Sequence, residues 1–418
     1  MTIALAVLAS LAAQAAQSTA GGTPPATQSE EAKASSVGQF TYLDLEGGVG
    51  YSTNPRFAFG SDTGGANGYV SLHAVHSRIT DRTTTLISAY AQETAYTRRY
   101  GSSQSLSLSA HHDAAVNEKL RLYIDGSAGY DRNGQLDTRI IGVPDLPVLP
   151  GSPDIPSQIL LPGSDFLAVT GKHYFFSANG GGRLSVSSRD VVDFSSGVLR
   201  SVFRNGPADS SLWTVPASIG YSRQVNPRAS LGGRVTFAYT DYDGPARLWT
   251  VTPQLTGSLA LSERTTFSGA IGASFSSVDT GITTRHRTGL SANAALCNRG
   301  EHSHLCARAS IDQQTATVAG PARSVTAGID YSQKLDAASV IQLSVEGTHY
   351  AQPISVVSGQ SFSTSDYYRA AAAYTRGFGH RLFGGINVAA RKLNASGPDP
   401  KADVSASVFV RYRFGDVQ

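Results

Sequence analysis

Cys297 and Cys306 are the whole thiol complement of this 418-residue chain, and His302 and His304 stand between them. The string Cys-x4-His-x-His-x-Cys admits two chemistries. Thiolates and imidazoles could hold a zinc ion tetrahedrally, but this spacing matches no standard finger. Two thiols flanking a turn in an oxidising compartment instead close a cross-strand bridge. Both cysteines share one strand parity, and a register that opposes them also opposes Ala295 with Arg308. The sequence therefore predicts a Cys297–Cys306 disulfide and no metal.

Nucleophile chemistry finds less support. His111, His112, His173 and His349 are candidate bases among many serines, but no Gly-x-Ser-x-Gly elbow accompanies them. No Gly-rich phosphate loop opens a helix, and no basic-aromatic surface points to nucleic acid. The chain reads as a non-enzyme without a cofactor.

Charge on one strand parity makes a second constellation. Arg121, Arg183, Arg234, Arg308, Arg369, Arg381, Arg391, Arg411 and Arg413, with Asp44 and Glu46, are the expected pore-lining set, and arginines dominate it. Lys+Arg total 34 against 31 Asp+Glu, a formal net charge of +3, so a basic lumen would come from placement and not from bulk charge. A ring of guanidinium groups would focus field on a pore axis and favour anions. The alternative is mutual neutralisation: if the first and last strands pair, Asp44 and Glu46 lie beside Arg411 and Arg413.

The elements that must carry these residues are strands. In the closing segment Val404, Ala406, Val408, Val410, Tyr412 and Phe414 fall on one parity, and Ser405, Ser407, Phe409, Arg411 and Arg413 on the other. The pattern recurs from Thr41 onward in about eighteen segments, among them 41–53, 68–78, 264–277, 363–376, 381–392 and 402–414. Short connections fall at every second junction, and the longest connection is the Pro-rich stretch Arg132 to Leu167, a candidate lumen plug. Bacterial outer-membrane barrels alternate short periplasmic turns with long outer loops in this way. A composition of 40% hydrophobic and 16% charged residues, with 43 Gly and 18 Tyr, suits β structure. Tyr51, Tyr130, Tyr221, Tyr239, Tyr331, Tyr374 and Tyr412 fall near row ends, where an amphipathic ring gains at a lipid–water boundary.

Residues 1–20 read as a signal peptide, with an apolar run from Ile3 to Ala13 followed by small residues. Residues 21–40 read as a flexible periplasmic leader. No other stretch approaches the roughly 20 apolar residues of a membrane-spanning helix. The expectation is an all-β, transmembrane, antiparallel up-and-down barrel over 41–414, in the bacterial outer membrane and surrounded by its lipid.

Leu45-Glu46-Gly47-Gly48-Val49-Gly50-Tyr51-Ser52-Thr53-Asn54-Pro55 resembles the opening strand of a β-barrel porin family of proteobacterial outer-membrane proteins, in which a Gly-rich strand ends in a Tyr-x-x-Asn-Pro turn. Members often accompany exopolysaccharide synthesis and export. The resemblance implies a channel linked to exopolysaccharide secretion or assembly, with an anionic polysaccharide and separate export proteins as partners. A general diffusion porin for small, preferably anionic solutes is the alternative, and a structural or lipid-modifying barrel a third reading. The chain also resembles barrels whose terminal aromatic is recognised by the barrel-assembly machinery, although Gly415-Asp416-Val417-Gln418 follow Phe414.

Overall fold

The structure, a computed structural model, describes residues 38–57, 63–98, 100–132, 171–204, 210–316, 320–351, 365–395 and 400–416. The signal segment, most of the leader, and the candidate plug beyond Arg132 lie outside the described residues.

Eighteen strands follow one another. They are β1 (Gly38–Ser52), β2 (Gly65–Ile79), β3 (Thr83–Tyr96), β4 (Ser102–Ala115), β5 (Leu120–Arg132) and β6 (Lys172–Ser185). Next come β7 (Asp190–Arg204), β8 (Ser210–Asn226), β9 (Ala229–Tyr242), β10 (Arg247–Ala260), β11 (Thr265–Asp279) and β12 (Thr284–Arg299). The last six are β13 (Ser303–Ala316), β14 (Gly320–Lys334), β15 (Ser339–Ala351), β16 (Ser365–Gly377), β17 (Leu382–Ala395) and β18 (Asp403–Gly415). Each pairs antiparallel with its neighbours in sequence, and β1 pairs with both β2 and β18, so the sheet closes on itself. Closure leaves no edge strand at the ends of the sheet, the condition for a sheet to span hydrocarbon.

Period two decides which wall each residue faces. In β1, Leu45 and Val49 are 40% and 62% exposed on the outside, while Asp44 and Glu46 are 4% and 5% exposed on the inside. The same contrast runs around the barrel, where Ile124, Ile219, Leu255, Ile271, Val345 and Val410 stand outward with Tyr51, Tyr221 and Tyr412. An apolar outer wall and a polar inner wall invert the plan of a soluble protein, and lipid is the solvent that suits them. The protein is an outer-membrane β-barrel.

One end carries only tight turns, built by side chains that fold the backbone locally. Asn117 Oδ1 accepts from the N–H groups of Lys119 and Leu120, Ser262 Oγ from Arg264 and Thr265, and Asp336 Oδ1 from Ala338. The Ala338 N–H and the Ser339 hydroxyl hold the Asp336 carboxyl below the usual carboxylate range. This end is periplasmic by the turn-length rule, and β1 begins and β18 ends there. The residues beyond Phe414 continue the fold: Gly415 pairs with Tyr42, and the Asp416 carboxylate accepts from Thr41 N–H at 2.7 Å.

Candidate functional site

The lumen wall holds the charged set, and its ion pairs follow the strand register. Asp44 faces Arg413 and Glu46 faces Arg411 across the closing seam. Arg413 binds both carboxylate oxygens of Asp44 at 2.8 and 2.9 Å, and its guanidinium lies 4.2 Å from the centroid of the Tyr42 ring. Arg411 reaches Glu46 Oε2 at 2.9 Å, and Tyr69 donates its hydroxyl to Glu46 Oε1 at 3.1 Å. Gly48 makes that last contact possible, because a Cβ there would lie 2.5 Å from the Tyr69 ring. The Gly-rich opening strand thus has a specific purpose at this position: it lets a tyrosine lie flat against the wall.

Three further arginines of the expected set lie near acids. Arg121 contacts Asp113 at 2.6 Å, Arg183 lies 3.9 Å from Asp193, and Arg308 pairs with Asp330. Arg369 faces Glu346 in β15 and Arg391 in β17. Arg234 lies in β9 opposite Gly220 and Gln254. Arg381 departs from expectation. Its strand begins one residue later, at Leu382, because the turn closes through Phe378 N–H to Leu382 O at 2.8 Å with Gly379 at φ 134°. Arg381 is therefore an exposed turn residue at the periplasmic end and not part of the lumen wall. Arg285 and Arg287 were missed, although their parity with Ser291, which faces the lumen, was a readable signal.

Between the charges the inner wall is hydroxylic. Ser127–Ser177 at 2.6 Å, Ser195–Ser218 and Ser230–Ser258 at 2.7 Å, Thr214–Thr240 at 2.9 Å and Thr326–Thr348 at 3.2 Å form cross-strand hydroxyl pairs. Such pairs satisfy the lumen wall locally and still leave lone pairs for water or solute.

At the extracellular end residues 53–57 turn in against β17 and β18. After β1, the Asn54 backbone N–H donates to Asp403 Oδ1 at 2.9 Å and its side-chain amide donates to Lys401 O at 3.0 Å. Ser52 Oγ donates to the same Asp403 oxygen at 2.5 Å. Asp403 Oδ2 accepts from Arg391 Nε and Nη2 at 3.1 and 2.6 Å, and Arg391 reaches Pro55 O at 3.4 Å. Phe57, at φ 49°, packs with Tyr350, Tyr367 and Leu393, with the Arg391 guanidinium 5.3 Å from its ring centroid. The Tyr-x-x-Asn-Pro turn is the latch that pins residues 53–57 to β17 and β18.

One constellation resembles a hydrolase site. Ser201 Oγ lies 2.9 Å from His173 Nε2, and Asp131 Oδ2 lies 3.9 Å from His173 Nδ1. The acid is beyond hydrogen-bond reach, and the imidazole is stacked between Phe175 and Phe203, at 5.1 and 4.2 Å between centroids. Ser201 sits mid-strand, paired with Phe175 on one side and Leu212 on the other, so the ladders engage the surrounding backbone and form no oxyanion cradle. The set also faces the lumen and not the lipid. His111 and His349 lie against Asp125 and Asp366 at 2.6 and 2.5 Å, with no serine in either contact. The two cysteines face one another in the register, with Ala295 opposite Arg308, and are joined as a disulfide. No cluster of His, Cys, Asp or Glu among the described residues could hold a metal ion.

No family model and no curated protein matches this chain. It is similar to solved outer-membrane barrels at very low identity. OccK2 (OpdF) of Pseudomonas aeruginosa is 10% identical, with 91% of this chain and 98% of that chain covered and a TM-score of 0.44. A BenF-like porin from Pseudomonas fluorescens Pf-5 is 8% identical over 90% and 99%, with a TM-score of 0.45. The FrpB iron transporter from Neisseria meningitidis (F5-1 variant) is 9% identical over 86% and 64%, with a TM-score of 0.46. Likenesses at these scores say nothing about solute or partner.

Proposed function

We propose that this barrel is a passive channel for small hydroxyl-rich solutes of little net charge, saccharides above all. The observation that carries the reading is the composition of the inner wall: cross-strand hydroxyl pairs between arginines that face acids. Paired charges project little net field on the pore axis, while hydroxyls exchange hydrogen bonds with a sugar at little cost. Eighteen strands enclose a lumen wide enough for water. The ion pairs of Arg121, Arg308, Arg411 and Arg413 reduce the net field that an anion preference would draw on. A role beside exopolysaccharide secretion is favoured by the same hydroxylic wall, since the chain to be passed is itself a row of sugar units.

Swelling of proteoliposomes in isotonic sugar tests the reading. Mono- and disaccharides should enter faster than organic anions or cations of equal size. Entry ordered by charge and not by size would count against it. Loss of surface polysaccharide on deletion of the protein, with uptake of the same sugars by the cells unchanged, would favour the secretion role over uptake.

A further inference from the structure

Eight tight turns close the periplasmic rim among the described residues, and one backbone hydrogen bond recurs in all of them. The residue that ends each turn extends its strand by one step, and its carbonyl accepts from an N–H at the foot of the next strand. Arg82 O takes the Ala115 N–H in this way, Lys119 O that of Ser185 and Arg189 O that of Gln224, at 2.7–2.8 Å. Arg228 O takes that of Ala260, Arg264 O that of Arg299 and Arg381 O that of Arg413, again at 2.7–2.8 Å. Each contact continues a ladder whose neighbouring step is Thr83↔Ala114, Leu120↔Leu184, Asp190↔Arg223, Ala229↔Leu259, Thr265↔Asn298 or Leu382↔Tyr412. Those steps face outward, so the next one takes the inner parity. Six of the eight equivalent positions are therefore arginine or lysine, exposed on the rim just below the lumen wall, and His302 and Ala338 fill the other two.

The opposite parity carries a different chemistry. Val116, Val186, Val225, Leu261, Leu335 and Phe378 stand where strands enter the turns, outward and exposed. The lipid side of the rim is an apolar collar and the inner side a cationic one. Acids of the same turns are placed otherwise. Asp81, Glu118, Glu263 and Glu301 each come one position before the ring and take the other parity, Asp190 is held by Ser187 and Tyr221, and Asp336 caps its own turn. They offset much of the ring's far field along the pore axis. Among the described residues, none of the six cationic side chains makes an ion pair or a hydrogen bond.

Size decides what such a ring can hold. Eighteen strands about 4.8 Å apart and tilted by about 40° make a rim roughly 35 Å across, with successive turns about 12 Å apart. That separation exceeds the Debye length of about 8 Å at physiological ionic strength, so a small anion or a single polymer thread meets one or two cations at a time. Only a body as wide as the barrel meets all six. The outward apolar collar argues against lipid headgroups as the occupant, and residues 21–37 offer two acids, Glu30 and Glu31, against six cations.

We infer that the periplasmic rim is a docking ring for a soluble, folded periplasmic protein with an acidic face about as wide as the barrel. Such a partner sits on the pore axis, where solute enters or leaves, so the inference holds for uptake and secretion alike.

The test places the photo-cross-linker benzoylphenylalanine at Ser188 or Glu263 on the rim, and at Gly244 in an extracellular turn for comparison, in the full-length barrel in cells. Irradiation should join the rim positions, and not Gly244, to a soluble protein that mass spectrometry identifies as acidic. Purified, that protein should bind the barrel in phosphatidylcholine nanodiscs, and more weakly as salt shortens the Debye length. Its affinity should fall roughly tenfold, the sum of six weak exposed contacts, when Arg82, Lys119, Arg189, Arg228, Arg264 and Arg381 are all replaced by Gln. Arg98→Gln with Arg247→Gln, at the extracellular end, should change nothing. Heat-modifiable migration identifies folded variants, and either half of the ring replaced alone should lose part of the affinity. Adducts made only with lipid, with a polysaccharide or with residues 21–37, no adduct at all, or a protein adduct indifferent to the ring substitutions would overturn the docking ring.

Discussion

Asp403→Asn should release the extracellular latch while leaving the barrel closed. Asp403 and Arg391 side chains are 0% and 3% exposed, and Asp403 accepts from Ser52 and Asn54 on one oxygen and from Arg391 on the other. Asparagine can keep a carbonyl toward Ser52 and Asn54, but its amide then faces the guanidinium and leaves a buried cation without its counter-charge. Breaking a buried pair in this way costs about 3–5 kcal/mol. Backbone ladders hold β17 and β18 independently of this pair, so the loss falls on the segment 53–57 that both residues grip. Even ~3 kcal/mol is about a hundredfold in the open-to-closed ratio, at 1.4 kcal/mol per decade. Arg56 lies in this segment, its Nη2 donating to Tyr100 O at 2.6 Å, so tryptic cleavage after Arg56 reports the opening. When reclosing is fast, cleavage tracks the open population. Cleavage at this bond should rise about a hundredfold in proteoliposomes. Asp113→Asn is the control, because its partner Arg121 is 49% exposed and such pairs contribute about 0–1 kcal/mol. Unchanged cleavage after Arg56 in a heat-modifiable Asp403→Asn barrel would refute the latch.

Three further outcomes follow from the same geometry. The native protein should migrate faster unheated than boiled, because every strand finds a partner on both sides around the closed sheet; identical migration after gentle extraction would contradict closure. Denaturing, non-reducing thiol labelling should leave Cys297 and Cys306 unmodified; full labelling of both, or one bound zinc per chain, would show that the bridge does not form. A fluorophosphonate should leave Ser201 unlabelled, since His173 lacks an acid within hydrogen-bond reach; stoichiometric labelling of Ser201 would restore a hydrolase reading.

Much of the fold was legible because a barrel writes itself in period two. The alternation from Val404 to Phe414 reappears as β18, and the expected strand 264–277 is observed as Thr265–Asp279. Boundaries slipped where turn residues also fit a strand, as at Arg381 and at Gly38, which begins β1 ahead of the expected Thr41. The Asp44–Arg413 and Glu46–Arg411 contacts could be anticipated, because pairing the first and last strands puts two acids and two arginines of like parity side by side on the lumen face. The Asp403 latch could not: Asn54, Pro55, Arg391 and Asp403 lie hundreds of positions apart in part, and nothing local in the sequence says that a loop folds inward. The Tyr-x-x-Asn-Pro turn marked the place without its partners.

The claim on which the functional reading rests is that the lumen charges compensate one another. The zero-current potential of a single barrel in a planar bilayer, under a potassium chloride gradient at low ionic strength where screening is weak, tests it most directly. Arginines set against Asp44, Glu46, Asp113, Asp330 and Asp403 predict a potential close to zero, moving toward anion preference when Asp44 and Glu46 are both replaced by serine. A strongly anion-selective potential in the unaltered protein, insensitive to those replacements, would contradict the account.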